Sequence, residues 1–272
     1  MILIGEKING TRKSVAEAIR NRDKAFIADL AQNQFAAGAA YLDVNAGTTP
    51  DREPEDLVWL VELVQKAVPE VVVCLDSANP EALSAGLAVC EKTPLINSLS
   101  GEKARLDNVL PLAVKYGTEL VLLALDDSGI PDTADKRLEI VRSLVALCRE
   151  QGMTDDRLYI DPLVLSIATG ERNGQVTLDT MFAVKKEFPE TRLTCGHSNI
   201  SFGMPLRSVI NQAFMVLTIA AGLDSAIVDP ENRELVSMMM AAETLFGKDR
   251  RCMKFNKAAR AGKIGPLKPK TD

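Results

Sequence analysis

Short apolar, β-branched runs alternate with longer amphipathic ones from one end of the chain to the other. The short runs predict strands over 1–8, 40–46, 71–76, 94–99, 119–125, 158–163, 192–198 and 224–229. The longer runs predict helices over 14–37, 54–67, 80–90, 102–116, 135–151, 176–187, 205–221 and 231–246. Strands separated by helices of ten or more residues imply βα units and a parallel sheet. Eight of each fit a single (β/α)8 TIM barrel of the α/β class spanning residues 1–246. A doubly wound open sheet is the competing arrangement. No linker, low-complexity block or repeat beyond the βα period divides the chain.

Punctuation supports this map. Asn79-Pro80 reads as an N-cap followed by the first helical residue, and Asp229-Pro230 as a second use of the same device. Gly38, Gly117, Gly152 and Gly222 each follow an amphipathic run, where a left-handed C-cap belongs.

Composition narrows the function classes. The chain has 272 residues, 46% of them apolar and 25% charged, which are ordinary globular proportions. Lys plus Arg is 32 and Asp plus Glu is 37, a net charge of -5 that gives no reason to expect nucleic acid. The charge is uneven, because residues 247–272 hold nine basic and two acidic residues. An acidic body thus ends in a basic C-terminal tail, and such a run most often reads as a solvated segment. No apolar run reaches the roughly 18 residues of a membrane span. Met1 to Gly5 is too short, and lacks the basic flank, for a signal peptide. Five cysteines with no CxxC pair read as reduced thiols, and so as a cytoplasmic protein.

The candidate chemistry lies at the strand ends. Strand 1 ends in Glu6 and Asn9, strand 2 in Asp43 and Asn45, strand 3 in Asp76 and strand 4 in Asn97. Strand 5 ends in Asp126 and Asp127, strand 6 in Asp161, strand 7 in His197, Ser198 and Asn199, and strand 8 in Asp229. In a barrel these ends converge on one mouth, the usual place of an active site. Turn chemistry accounts for Asp229 before Pro and Asp127 before Ser-Gly. It accounts poorly for Asp76, Asn97 and Asp161, each preceded by a strongly apolar run. The ring is rich in acceptors and amides and poor in cations. There is no P-loop, no GxGxxG after a strand and no basic cluster for phosphate. A flat ligand with several N–H donors suits it. A carboxylate takes two parallel N–H bonds from an aminopyrimidinone edge much as from a guanidinium. Asn adds a donor and an acceptor. A pterin offers that alternating pattern.

These residues carry a resemblance. Gly5-Glu6-Lys7-Ile8-Asn9-Gly10, Leu42-Asp43-Val44-Asn45, Leu75-Asp76-Ser77, Ile96-Asn97-Ser98, Ile160-Asp161-Pro162-Leu163 and Gly196-His197-Ser198-Asn199-Ile200-Ser201 stand in order at six strand ends. As a set they resemble the pterin-binding methyltransferases, and most closely the methyltetrahydrofolate:corrinoid protein methyltransferase family, over residues 1–246. The resemblance implies a homodimeric TIM barrel that takes tetrahydrofolate or methyltetrahydrofolate as substrate. Asp76, Asn97 and Asp161 match the pterin anchors, and Asn199 the amide near N5, the nitrogen that carries the methyl group. Gly196 and Ser198 line the same turn, and Arg207 matches a basic residue beyond it. Glu6, Asn9, Asp43 and Asn45 are accessory residues at the mouth. Lys185 lies near a further family position and is not among the assigned site residues.

The implied reaction moves a methyl group between pterin N5 and a corrinoid cobalt. A neutral tertiary amine leaves poorly, so N5 gains a proton or hydrogen bond as its bond to carbon breaks. An amide that donates more strongly in the transition state than in the ground state supplies this. Asn199, with Asp76 and water, fits that role. A corrinoid-binding module usually shows D-x-H-x-x-G, but the only histidine here is His197, within Gly196-His197-Ser198-Asn199. The corrinoid therefore arrives on a separate partner protein docked over the mouth, and His197 reads as an imidazole packed or solvated beside the site. No metal ligand is assigned, since one histidine makes a His-based transition-metal site a poor fit. The stretch Gly196–Pro205 (GHSNISFGMP) is more similar to members serving catabolic demethylation, which favours tetrahydrofolate as the methyl acceptor.

Three alternatives stand beside this reading. Dihydropteroate synthase shares the pterin cup, but it handles a pyrophosphate leaving group with cations, and Ile227-Val228-Asp229-Pro230 lacks the expected Arg. A non-catalytic folate-binding subunit is a second. A metal-dependent aldolase or lyase is a third, since carboxylate rings also hold Mg²⁺.

Overall fold

A strand can be followed by a parallel neighbour only after a crossover, and here every crossover is helical. The computed structural model describes residues 1–266. The strands are β1 (Ile2–Asn9), β2 (Tyr41–Asn45), β3 (Val72–Asp76), β4 (Leu95–Gly101), β5 (Glu119–Asp126), β6 (Leu158–Asp161), β7 (Arg192–Leu193) and β8 (Ser225–Val228). They are parallel and lie in the order β7-β6-β5-β4-β3-β2-β1-β8. The two ends of this order meet. The Asp224 amide donates to Leu193 O at 3.1 Å, and the Ile227 amide to Cys195 O at 2.9 Å. The architecture is the expected (β/α)8 TIM barrel.

Around the strands run α1 (Lys13–Arg20), α2 (Lys24–Ala36), α3 (Glu53–Ala67), α4 (Pro80–Ala88), α5 (Lys103–Asn108), α6 (Leu110–Tyr116), α7 (Ala134–Glu150), α8 (Asn173–Glu187), α9 (Arg207–Ala220), α10 (Arg233–Leu245) and α11 (Met253–Arg260). Two expected helices are each split. The run 14–37 breaks at Arg22, which has φ 53°, and Asp23 caps α2 by accepting from the Phe26 amide at 3.1 Å. The run 102–116 breaks because Pro111 cannot sit inside a helix and instead occupies the first turn of α6. Asn79 caps α4 as expected, accepting from the Glu81 amide at 3.0 Å. Asp229-Pro230 does not cap α10. Asp229 accepts from Glu231 in a turn, and Asn232 is the cap, accepting from the Leu235 amide at 3.1 Å.

The expected strand 192–198 is also shorter than its sequence suggests. It pairs over Arg192–Leu193, and residues 197–201 form a 3₁₀ turn. The basic tail runs partly along the barrel. Arg233 donates to the carbonyls of Gly262, Ile264 and Gly265, which ties the segment after α11 to the start of α10. Lys268 and Lys270 lie outside the described residues.

Side chains alternate across each strand, and this sorts the barrel interior into layers. At the N-terminal end Tyr41 donates to Glu119 at 2.7 Å, and Arg192 donates to Glu119 and to Tyr159, each at 2.9 Å. This hydrogen-bonded plug closes the bottom. Above it Ile4, Cys74, Leu95 and Val121 are fully buried. Two residues further along β1, β3, β4 and β6 the same inward faces present Glu6, Asp76, Asn97 and Asp161. Alternation thus turns apolar strands into a polar mouth.

The loops after β1 and β2 touch closely. A Cβ on Gly10 would lie 1.8 Å from the Ala46 carbonyl oxygen, which is main chain and cannot rotate away. Gly10→Ala is expected to destabilise the protein by about 1–3 kcal/mol or more through this overlap. Urea unfolding checks it, and an unchanged midpoint rejects the close approach.

Candidate active site

The mouth is built from strand-end residues whose polar atoms are oriented by one another. Asp76 and Asn97 are direct neighbours on β3 and β4. Asn45 on β2 donates its amide to Asp76 Oδ2 at 2.8 Å, leaving Oδ1 for other partners. Asn97 donates its amide to Asp43 Oδ1 at 3.2 Å, so its carbonyl oxygen faces away from that bond. The pair on β2 therefore fixes which atoms the next two strands present. On β6, Asp161 accepts from the Leu163 amide at 2.8 Å and from the Gly196 amide.

Burial controls the charge of these groups. Asp43 is 3% exposed, and loss of water followed by the nearby Asp76 charge pushes its carboxyl up to about 8. Hydrogen bonds from Cys74 and Asn97 oppose that rise. Asp161 is pushed up to about 6 by burial, against the amides of Leu163 and Gly196 and the charge of Arg137. Burial also raises Asp76, opposed by Asn45 and Arg105, and raises Glu6, opposed chiefly by Arg12. Neighbouring carboxyls in a half-dry ring resist ionising together.

Gly196 and Asn199 belong together. Gly196 follows Arg192 and Thr194 on the inward face, and a Cβ there would lie 3.0 Å from Asn199 Nδ2. The Asn199 amide thus occupies the space a side chain at 196 would fill. Arg207 opens α9 after Leu206, which has φ 51°. It donates to Ser201 Oγ at 3.1 Å and to the Ser198 carbonyl at 3.0 Å, bracing the same turn.

Other expected residues are placed differently. Asn9 spends its carboxamide oxygen on Thr11, accepting from the amide at 2.9 Å and from the hydroxyl at 2.7 Å. Glu6 pairs with Arg12 at 3.3 Å on the β1 side. Lys185 bonds to the Thr191 carbonyl and pairs with Asp224, residues that precede β7 and β8, at the end of the barrel opposite the mouth. His197 is fully buried against Phe214, with ring centroids 5.2 Å apart, and burial lowers its pKa to about 4. It is a packed neutral imidazole.

Sequence reasoning missed two cations that sit behind the ring. Arg105 of α5 donates to the carbonyls of Ser77, Ala78 and Ser98, which follow the Asp76 and Asn97 positions. Arg137 of α7 donates to the carbonyls of Pro131, Pro162 and Leu163. For Arg137 a signal existed. It shares the buried stripe of α7 with Leu138, Val141, Leu144, Val145 and Cys148, where a charge needs a partner. Among the described residues there is no cluster of three or more His, Cys, Asp or Glu arranged to hold a metal.

Comparison with known proteins places the chain in a family. Residues 5–229 match the family described as pterin binding enzyme. The chain is 42% identical over 272 residues to the methylcorrinoid:tetrahydrofolate methyltransferase of Eubacterium limosum, covering 99% of this chain and all of that one. It is 31% identical over 241 residues to the methionine synthase of Mycobacterium tuberculosis, of which it spans 20%. A dihydropteroate synthase from Yersinia pestis, solved with a sulfonamide drug, superposes with a TM-score of 0.71 over 91% of this chain and 94% of that one. At 18% identity this last likeness shows the fold alone. The chain belongs to the pterin-binding enzymes and, within them, to the methyltetrahydrofolate:corrinoid protein methyltransferase family.

Proposed function

We propose that this enzyme moves a methyl group between a corrinoid protein and N5 of tetrahydrofolate, with methylcorrinoid as donor and tetrahydrofolate as acceptor. The observation that carries the reading is the convergence of Asp76, Asn97 and Asp161 on inward faces at one barrel mouth, with the Asn199 amide lying over Gly196 beside them. The full-length likeness to a methylcorrinoid:tetrahydrofolate methyltransferase supports the same chemistry and direction.

In this reading the free oxygens of Asp76 and Asp161 and the Asn97 carbonyl accept the N–H donors of the pterin edge. Asn199 stands at N5. Its carboxamide N–H donates to N5 more strongly in the transition state than in either ground state, and by microscopic reversibility this lowers the barrier in both directions. Arg207 holds the turn that bears Asn199. The corrinoid comes as a second substrate on a partner protein; the N5 lone pair takes the methyl group, the bonding pair stays on cobalt as Co(I), and N5 releases its proton to water, without a covalent enzyme intermediate. The exposed stripe Val209, Ala213, Leu217 and Ala220 along α9 supports a homodimer. The free thiols of all five cysteines fit the cytoplasm.

The direct test mixes the protein with methylcobalamin and tetrahydrofolate and follows the visible spectrum of the corrinoid. Demethylation that depends on tetrahydrofolate is expected. Its absence, with formation of dihydropteroate from pterin pyrophosphate and aminobenzoate, moves the assignment to the synthase. Asn199→Ala is expected to slow transfer by about 10²-fold or more while calorimetric affinity for tetrahydrofolate stays within about threefold. Equal transfer rates in stopped flow remove Asn199 from the chemistry.

Asp43 gives a pH prediction for the ligand-free protein. Its folded pKa, about 8, lies above that of an unfolded carboxyl. Between those values the folded state binds the extra proton, so stability falls as pH rises. Melting temperature is expected to drop between pH 5 and 8, and Asp43→Asn to flatten that slope. A variant with the wild-type slope shows that another group is responsible.

A further inference from the structure

The Arg137 side chain has no role in the mechanism above, yet it is one of the most thoroughly enclosed charges in the molecule, at 1% exposure. Its Nε donates to Pro131 O at 2.9 Å, and its Nη1 donates to Pro162 O and to Leu163 O, both at 2.7 Å. Two of these carbonyls belong to the residues directly after Asp161. Leu163 has φ 65°, a left-handed conformation that a branched side chain rarely adopts. Its amide reaches back to Asp161 Oδ1 at 2.8 Å, and its carbonyl also accepts from Thr177 Oγ1 at 3.2 Å. The turn Asp161-Pro162-Leu163 is therefore clasped from both sides. The carboxylate is held by the amide of Leu163, and the carbonyls are held by a guanidinium fork.

We propose that Arg137 is a positioning residue for pterin binding, fixing the Asp161 carboxylate through the Pro162–Leu163 turn and serving as its buried counter-charge. The inference rests on the reading of Asp161 as a pterin anchor. A planar guanidinium suits the task because it directs several N–H groups at once, whereas an ammonium acts as a compact charge on a flexible stem. The groups that act on Asp161 are Arg137 from α7 and the amides of Leu163 and Gly196, and its charge in turn adds to the rise that burial gives the Cys195 thiol. Asp132, in the loop before α7, faces Arg137 from the other side. Arg137 is the cation that favours the ionised form of Asp161, so its loss moves the titration of that carboxyl upward.

The experiment titrates tetrahydrofolate calorimetrically into the full-length wild-type protein, Arg137→Lys and Arg137→Gln between pH 5 and 8. Circular dichroism establishes that each is folded. For the wild type, affinity is expected to fall as pH drops through about 6, where Asp161 gains a proton. Arg137→Gln is expected to bind about tenfold more weakly at pH 7, with that acid limb about one pH unit higher. Arg137→Lys keeps the charge, and so the wild-type limb, but binds several-fold more weakly because the fork is gone. A role in packing alone lowers the melting temperature of both variants and leaves the limb where it is, which overturns the proposal. If Arg137→Gln does not fold, Arg137→Lys decides, and wild-type affinity there also overturns it. Failure of the wild type to bind tetrahydrofolate refutes the pterin reading itself, an outcome distinct from normal wild-type binding with indifferent variants.

Discussion

Four carboxyl groups, Glu6, Asp43, Asp76 and Asp161, are drawn out of water at one end of a single ring of strands, and burial raises the pKa of each. The rest of the site follows from making that tolerable. A buried carboxylate needs donors, and water is scarce there. Asn45 supplies one to Asp76, Asn97 supplies one to Asp43, and the Leu163 and Gly196 amides supply two to Asp161. Asp43, deepest of the four at 3% exposure, also faces the Asp76 charge and carries the largest rise of these carboxyls. The cup thus keeps acceptor atoms turned to the mouth, while burial and the Asp76 charge favour the protonated form of Asp43 beneath them.

The supports of the ring lie outside the barrel wall. Arg105 and Arg137 come from α5 and α7, and each spans main-chain carbonyls beyond a polar strand end at the mouth. Their charge sits close enough to Asp76 and Asp161 to oppose the effect of burial, yet their N–H groups are already committed to the backbone. The other cations near the mouth are paired or braced as well: Arg12 with Glu6, Lys7 with Asp229 and Glu231, and Arg207 with Ser198 and Ser201. A common barrel does not by itself assign a reaction. The side chains at the strand ends and the 42% full-length identity carry that weight.

Much of this was legible from residue order. Eight strand runs and their crossovers specify a parallel barrel, because short continuous apolar runs followed by helix-length amphipathic ones have few other ways to bury both faces. Asp76, Asn97 and Asp161 stood out because each ends a run too apolar for an ordinary turn. The boundaries were less legible. Pro111 splits one helix and the Asp23 cap restarts another, and both are local signals within a longer amphipathic pattern. Asp229-Pro230 looks like a cap in sequence, but the cap is the residue whose side chain reaches an amide two or three positions on, and that is Asn232.

Sequence alone determined the alternation of strands and helices, and with it the line of polar residues at the C-terminal strand ends, because strand periodicity dictates that residues two apart share a face. Only the tertiary structure decided which of those residues act on one another. Asn45 and Asp76 are 31 positions apart and Asn97 and Asp43 are 54 apart, yet each pair meets across the mouth. It also decided that Asn9 turns to its own loop, that His197 packs against Phe214, and that Arg137 lies behind Asp161. The physical reason is that hydrogen bonds and charge interactions depend on separation and direction in space, which closing the barrel sets and the order of residues does not show.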